Sequence, residues 1–411
     1  MENVRYTMFY IINKGDTELR ILGKDFVKNN RNKAKLIIEN KKYFIRDIFK
    51  LKKIEKQILF KIKMIQNKNI YNLSSMFKDC KSLLALKENN IGIEKYKQID
   101  NILNDIPVNE EEKDENILNS EEQLKSEKAK QFYNEYSISE ISEGSFIDSK
   151  NYILKDIINN INLTDKQNKY PCIINEMFAN CTSILYIPNL SIWYTNKIIE
   201  MSELFFNCSS LKNLPDISGL KTDNVTNMNK IFAGCSSLVK LPDISNWNTS
   251  KVICVSGLFS DCSSILSVSD ISNWITNNVI DMSNIFSKCG LLSYLPDISK
   301  WETGNTIYMN GIFSFCYTLL SLPNISKWNI SKAIDIHQIF SNCRHLTSLP
   351  DISKWNTENV INMNALFEFC MSLISVPDIS GWKTDNVVDL SGLFLNCRYL
   401  ISLPDIIQLE Y

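Results

Sequence analysis

Residues 232–258 read Phe-Ala-Gly-Cys-Ser-Ser-Leu-Val-Lys-Leu-Pro-Asp-Ile-Ser-Asn-Trp-Asn-Thr-Ser-Lys-Val-Ile-Cys-Val-Ser-Gly-Leu, and the same pattern begins again at Phe259. Nine such units follow one another without an insertion, and in each of them the cysteine recurs after 27 residues. The members of this column are Cys181, Cys208, Cys235, Cys262, Cys289, Cys316, Cys343, Cys370 and Cys397. A fixed period of this length predicts one turn of a solenoid per unit, because so short a unit buries its apolar side only against its neighbours.

The apolar positions inside a unit predict a short helix followed by a short strand. Val225, Met228 and Phe232 are three and four residues apart, which is the spacing of one helical face. The Leu238–Leu241 segment then predicts a strand that ends at or before Pro242, since proline cannot donate to a ladder. The predicted fold is therefore an α/β repeat, a right-handed leucine-rich-repeat-like solenoid of 27-residue coils with a small β-rich N-terminal domain.

The run Phe-x-x-Cys-x-x-Leu-x-x-Leu-Pro-Asp-Ile-Ser-x-Trp-x-Thr-x-Asn-Val-x-x-Met resembles the BspA-like leucine-rich repeats, which occur in bacterial surface proteins and in large sets in protists. The resemblance covers residues 171–411 and, more faintly, 70–86. Two features depart from it: the coil carries Pro-Asp where many relatives continue the strand, and the secretion signal of surface members is absent. The resemblance implies a solenoid used for adhesion or protein binding, and it implies no catalytic residues.

Outside the array, the chain divides into three further segments. Residues 1–70 predict a small basic domain, β-rich or α+β, with β-prone runs at Tyr6–Ile12, Leu19–Leu22, Leu36–Glu39 and Ile58–Ile65. Residues 71–86 hold one isolated repeat motif, whose Cys80 precedes Cys181 by 101 residues and so falls out of the 27-residue period. Residues 87–170 predict an acidic polar insert, partly disordered or marginally helical, and residues 171–411 form the solenoid.

Charge separates a basic head from an acidic body. Residues 1–86 carry 20 Lys and Arg against 8 Asp and Glu, a balance of +12, whereas residues 87–170 carry −7 and residues 171–411 carry −6. Binding of nucleic acid or an anionic surface by the head is therefore one alternative function. Its lysines are spread among turns and do not line one helix, so solubility explains them more simply and nucleic acid is not the expected partner.

The first residues lack the charged, apolar and small-residue regions of a secretory signal. No segment approaches the roughly 18 consecutive apolar residues that a transmembrane helix needs. We therefore expect a cytoplasmic protein without a transmembrane segment, with the cell surface as the alternative location.

Three columns of repeated residues, the cysteines, the aspartates and the tryptophans, suggest a chemical role. For each column we prefer a structural role. The cysteines lie one per coil and do not converge as zinc ligands must, so a ladder of buried thiols is expected. The Pro-Asp aspartates exchange with asparagine, which suits a turn cap better than a charged ligand. The tryptophans, from Trp193 to Trp382, predict packing. With two histidines in the chain, we expect no catalytic residue, cofactor, metal site or small-molecule substrate.

Function is then expected where the repeat varies. After the cysteine, the later coils carry residue types enriched in interface hot spots, and two tyrosines before the Pro-Asp motif join them as predicted partner-binding residues. These residues are Tyr186, Tyr294, Tyr317, Arg344, His345, Met371, Arg398 and Tyr399. The predicted function is a non-catalytic protein–protein interaction scaffold for an unknown protein, with a cell-surface or secreted adhesin as the alternative. The array stops without a distinct polar cap, so either its last residues cover the C-terminal coil or end-to-end self-association does.

Overall fold

The computed structural model describes residues 4–38, 41–51, 54, 58–66, 70, 72–88, 172–187, 190 and 198–403. Its elements are β1 (Val4–Ile12), β2 (Glu18–Arg20), α1 (Lys24–Asn30), β3 (Ala34–Ile38), β4 (Lys41–Phe44), β5 (Ile48–Lys50), β6 (Ile58–Gln66), β7 (Leu83–Glu88), β8 (Cys172–Ile173) and β9 (Ile198–Glu200). Most of the predicted insert at 87–170, together with Trp193 and the last residues 404–411, lies outside the described residues.

The N-terminal part is an antiparallel sheet with strand order β4-β3-β6-β1-β7, accompanied by a second small sheet of β2 and β5. The four β-prone runs of the sequence coincide with β1, β2, β3 and β6. Alternation explains them: in β3 the residues Ala34, Leu36 and Ile38 are buried and Lys35 and Ile37 are less so, as expected for a strand with one face on a core.

Strand β7 joins this sheet to the repeats. On one edge it pairs antiparallel with β1. On the other edge, Leu84 accepts a hydrogen bond from the N–H of Leu185 at 2.9 Å, and Ala85 forms a parallel bridge with Tyr186. The N-terminal sheet therefore extends beyond residue 70, and a continuous apolar core runs from Tyr6 to Leu393.

The repeats stack in register, coil upon coil. The rings of successive phenylalanines lie 5.3 to 6.0 Å apart between centroids and nearly parallel. The row includes Phe77, whose ring lies 5.5 Å from that of Phe178. The coil around Cys80 thus packs directly on the coil around Cys181, although the insert separates them in the sequence.

The helix predicted in each coil is wrong. Among the described residues, α1 is the only α-helix. The repeat segment is instead a series of tight turns. The N–H of Phe206 donates to the carbonyl oxygen of Glu203, three residues back. The N–H of Phe205, however, donates to the carbonyl oxygen of Ile231 in the next coil, at 2.9 Å. Glu203 and Asn207 have φ of 55° and 56°, and two left-handed residues four positions apart are incompatible with an α-helix.

The sequence does contain a signal for these turns. The residue before Cys80 and before each of the nine period-27 cysteines has positive φ. Most members of this column are residue types that tolerate the left-handed region. They are Asp79, Asn180, Asn207, Gly234, Asp261, Lys288, Phe315, Asn342, Phe369 and Asn396. A column of Asn, Asp and Gly beside an apolar stripe therefore indicates stacked turns.

The predicted strand position also needs correction. At the Leu-x-x-Leu segment the structure forms isolated bridges, between Ala85 and Tyr186 and between Lys240 and Ser267. A more regular parallel ladder lies before the turns, where Asn227, Cys254, Asp281, Tyr308, Asp335, Asn362 and Asp389 bridge one to the next. Pro-Asp interrupts the segment at which the strand was expected, and proline supplies no N–H for a ladder.

The cysteine and tryptophan columns are interior rows, as predicted. The Trp247 indole N–H donates to the Ile217 carbonyl of the preceding coil at 3.2 Å, and the same bond recurs at 3.2 to 3.3 Å for Trp274, Trp301, Trp328 and Trp382. Each of these rings is at most 5% exposed. Trp355 is equally buried, at 3% exposed, but its indole N–H has no hydrogen-bond partner in the described part of the chain. Because all six of these indoles are buried, the row is part of the core.

Candidate partner-binding surface

Three of the predicted binding residues form a contiguous cluster. The guanidinium carbon of Arg344 lies over the ring of Tyr317, 4.7 Å from its centroid. Nδ1 of His345 lies 2.7 Å from the carbonyl oxygen of Tyr317. On the other side, the Tyr317 ring covers Gly290, where a Cβ would lie 3.1 Å from Cδ2. We name Gly290, Tyr317, Arg344 and His345 the tyrosine–arginine patch.

The stacking of coils positions this patch. Its residues follow the cysteines of three successive coils, so their side chains are neighbours at a coil spacing of about 5 Å. Thr318 reinforces the register, since its hydroxyl donates to the Gly290 carbonyl at 3.1 Å. Phe315 meets the Tyr317 ring edge to face, with centroids 6.1 Å apart. These contacts tie the patch residues to one another across neighbouring coils, and such preorganisation lowers the entropy lost on binding.

The chemistry of the patch suits a protein surface. Tyr317 is 36% exposed, and Leu291 and Leu320 beside it are 49% and 42% exposed. Arg344 and His345 are exposed as well. Tyrosine and arginine are among the residue types that most often dominate the binding energy of protein interfaces.

Three further predicted binding residues, Met371, Arg398 and Tyr399, follow the cysteines of the next two coils. Met371 follows Arg344 in the same column and is half-buried, and the register is kept by the Ser372 N–H, which donates to the Arg344 carbonyl at 3.1 Å. Arg398 and Tyr399 are exposed one coil further along. Tyr399 is 70% exposed. These three residues extend the column of the patch toward residue 403.

The two predicted tyrosines before the Pro-Asp motif have different surroundings. Tyr186 is half-buried and bridges to Ala85, at the junction with the N-terminal sheet. Tyr294 is 61% exposed and borders a separate depression, together with Leu295 and Asp297. That both tyrosines lie on the same surface as Tyr317 stays a prediction.

The aspartate column caps turns, as predicted. Asp243 accepts the N–H of Ser245 through Oδ1 at 2.9 Å, and the corresponding pairs recur at 2.9 to 3.0 Å from Asp216 to Asp378. Hydrogen bonds from the Ser245 side chain and backbone lower the pKa of Asp243. The carboxylates therefore have a structural role in the backbone of each coil.

Two features of the ladder were missed by the sequence reasoning. His337 pairs with Asp335, with Nδ1 and Oδ1 2.6 Å apart. In addition, a row of aliphatic side chains beside the ladder is exposed to solvent, with Ile253, Ile280, Ile361 and Val388 at 46%, 41%, 46% and 84%. The sequence shows that isoleucines recur every 27 residues here, but it does not show which residues of the ladder face the solvent.

Burial keeps the thiols in their protonated form at neutral pH. Burial raises the pKa of Cys235 to about 12, and the pKa of Cys172 to about 11. Within the described ranges, no three His, Cys, Asp or Glu side chains converge on one point. In the same part of the chain, helices of the length and apolar character required to cross a lipid bilayer are not found.

Comparison with known proteins identifies a family but no activity. No curated protein matches the chain significantly. A solved structure described as a leucine-rich cell surface protein from Faecalibacterium prausnitzii is 20% identical, covers 55% of this chain and 74% of that chain, and superposes with a TM-score of 0.24. The model of a family described as Mycoplasma protein of unknown function, DUF285, matches residues 172–289, 263–349 and 319–403. These overlapping ranges span more than half of the 411 residues, and the chain therefore belongs to the DUF285 family.

Proposed function

We propose that the chain is a non-catalytic protein–protein interaction scaffold that contacts its partner through the tyrosine–arginine patch. The observation that carries the proposal is the stacking of Arg344 on Tyr317 at 4.7 Å in an exposed position. Stacking orients the guanidinium group before the partner arrives, so that its N–H groups are presented to a carboxylate or carbonyl of the partner. The right-handed winding and the BspA-like character of the repeats are part of this proposal.

The solenoid supports such a role because recognition and folding use different positions. Phe, Cys and, in most coils, Trp fill interior rows. The residues after the cysteine change from coil to coil and are half-buried or exposed. Substitutions there leave the stack intact, so the surface is free to be complementary to a partner.

The partner is identified by cross-linking from the patch itself. A photo-reactive amino acid at Leu291, which is 49% exposed beside Gly290, should capture the partner in cells. The same group at Ile361, 46% exposed beside the ladder, is the matched control. A protein captured from position 291 and not from 361 is then purified for binding measurements.

Binding to that partner is compared for two double variants. Tyr317→Ala with Arg344→Ala should weaken it by roughly a hundredfold, as loss of two hot-spot residues does. Arg344→Ala with Tyr399→Ala should weaken it less, because Tyr399 lies farther along the column. Lys383→Ala, which removes one exposed ion pair with Glu358, serves as control. Equal affinity of all variants, with unchanged thermal stability, contradicts the proposal.

Location is tested separately from binding. The expected cytoplasmic position and the alternative at the cell surface differ in their response to protease added to intact cells. Digestion of the chain while an internal marker protein stays whole would show the surface position, and protection until lysis would show the internal one.

A further inference from the structure

One face of the N-terminal sheet carries four lysines that come from three strands. Residues that face each other in neighbouring antiparallel strands lie on the same side of a sheet. Ile37 in β3 faces Lys42 in β4 and Lys63 in β6. Lys35 and Lys61 are each two residues from a member of this row, so they lie on the same side. These four lysines of the basic N-terminal part therefore lie in strands and not in turns.

The sheet geometry brings the four positive charges close together. Neighbouring strands are about 4.8 Å apart and alternate residues of one strand about 6.6 Å apart, so each lysine Cα lies within roughly 10 Å of another. Strands β1, β3, β4 and β6 contain no aspartate or glutamate. Carboxylates of these strands therefore do not offset the charges, and a polyanion that binds here relieves their mutual repulsion.

An exposed aromatic ring belongs to the same face. Phe44 in β4 faces Lys35 in β3, and the ammonium group of Lys35 lies 5.7 Å from the centroid of the Phe44 ring. This ring is 61% exposed, and among the described residues up to 88 it is the only large apolar side chain that is mostly exposed. We name Lys35, Lys42, Phe44, Lys61 and Lys63 the lysine face.

The other aromatic and aliphatic groups on this side of the sheet are less accessible. Phe9 is 2% exposed, and Nζ of Lys61 lies 5.7 Å from the centroid of its ring. Ile65, which faces Lys35 from β6, is 7% exposed. Long lysine side chains cover apolar surface in this way while they keep the ammonium group in water. The lysine face therefore offers a ligand mainly positive charge and one flat ring.

We propose that the lysine face binds single-stranded nucleic acid, with phosphate groups at the four lysines and one base on the ring of Phe44. Proteins that bind single strands combine a positive surface along the backbone with aromatic rings on which bases stack. A sheet face suits a single strand, because its bases are not paired and can turn toward the protein. DNA and RNA share this phosphate and base chemistry, so both are candidate ligands.

An anionic lipid surface is the main competing ligand, and the observations favour nucleic acid. Proteins that lie on membranes bury a broad apolar face beside their basic residues. On the lysine face Phe44 is exposed, whereas Phe9 and Ile65 are buried. One flat ring suffices to stack a base, but it offers little area to an acyl layer. The lysine face shares no residue with the tyrosine–arginine patch, so either proposal can fail without the other.

Fluorescence anisotropy of labelled oligo(dT) and oligo(U), titrated with the whole chain, tests the proposal. We expect saturable binding of at least one of them at low salt. Neutralisation of four phosphates predicts that the logarithm of the association constant falls by about 3 for each tenfold rise in salt. An abasic strand of the same length and charge should bind roughly tenfold more weakly, because it has no base to stack on Phe44.

Three outcomes overturn the proposal. They are the absence of binding to either oligonucleotide, an affinity for the abasic strand equal to that for oligo(dT) and oligo(U), and binding that does not depend on salt. Sedimentation of the chain with phosphatidylglycerol vesicles, if neither oligonucleotide binds, assigns the lysine face to lipid instead.

Variants assign the binding to the lysine face. Lys35→Gln with Lys63→Gln should weaken binding at least tenfold and halve the salt slope to about 1.5, because two phosphate contacts are lost. Phe44→Ala should weaken binding of the normal strand roughly tenfold and leave that of the abasic strand unchanged. Lys212→Gln with Lys240→Gln, at two exposed lysines of the coils, removes the same charge and is the matched control. Equal affinity of the wild type and both lysine-face variants, or equal weakening by the control pair, overturns the assignment.

Discussion

The thiol of Cys262 donates a hydrogen bond to the carbonyl oxygen of Phe232 at 3.1 Å, although thirty residues separate the two in the sequence. The same bond, at 3.0 to 3.2 Å, links each of the nine period-27 cysteines to the coil before it. Cysteine suits the position because it combines a small apolar side chain with a weak donor. The column thus fastens each coil to its predecessor.

Removal of one such bond should destabilise the stack. Cys262→Ala leaves a small cavity and one hydrogen bond fewer at the Phe232 carbonyl, and we expect a loss of about 1–3 kcal/mol in the free energy of unfolding. Guanidinium denaturation followed by tryptophan fluorescence measures it. Cys254→Ala, at a half-buried thiol outside the column, should cost less than about 1 kcal/mol. Equal losses for the two variants would show that the column bond does not contribute.

Alkaline pH should destabilise the protein through the buried thiols. Burial raises the pKa of Cys235 from 9.0 to about 12, so the unfolded chain releases this proton at lower pH than the folded one. Stability is therefore complete below pH about 9, and it is lost as pH rises from there toward the folded pKa. The loss is about 1.4 kcal/mol per thiol for each pH unit in that window.

Cys235→Ser isolates this contribution, because a serine does not titrate in the same range. Between pH 9 and 10.5, the free energy of unfolding of the variant should fall with a slope about one proton smaller than that of wild type. Denaturant titrations at several pH values give both slopes. Identical slopes would mean that the Cys235 thiol ionises equally in both states.

The left-handed position before the cysteine should respond in opposite directions to two substitutions. Gly234 has φ of 75°, and a Cβ there would lie 3.0 Å from Cα of Asn207, so Gly234→Ala should destabilise by about 1–2 kcal/mol. Lys288 has φ of 60°, so Lys288→Gly should stabilise by about 0.5–1 kcal/mol. The ion pair of Lys288 with Asp261 is half-exposed and offsets little of this gain. Denaturation midpoints that move in the same direction for both variants would contradict the interpretation.

Adding one methyl group at Gly23 should disrupt the junction between the N-terminal sheet and the first coil. A Cβ on Gly23 would lie 1.9 Å from the carbonyl oxygen of Ser75, and the Gly23 N–H donates to the carbonyl oxygen of Met76 at 2.9 Å. Gly23→Ala should therefore separate the two parts locally and lower stability by about 2 kcal/mol or more. Hydrogen exchange at residues 74–80 reports the opening. Gly381→Ala, where a Cβ meets nothing within 4 Å, should leave exchange at these residues unchanged.

The tyrosine–arginine patch shows how much of the candidate site can be predicted from the sequence. Tyr317 and Arg344 occupy the same position in consecutive units, and an in-register stack makes such positions neighbours, so their contact was predictable. Tyr294 and Tyr186 lie in a different column, just before the Pro-Asp turn, and the period alone does not say whether that column faces the same way as Tyr317.

The sequence by itself determined the period, the interior rows of Phe, Cys and Trp, the turn-capping aspartates and four strands of the N-terminal sheet. Each of these follows from a regular spacing of residue types. Only the tertiary structure decided that the apolar stripe forms stacked turns, and that β7 joins the sheet to the coils. A spacing of three and four residues fits a helix and a turn equally well. The choice depends on whether the N–H of a residue such as Phe205 finds its acceptor in its own coil or in the next, and the next coil exists only once the chain has folded.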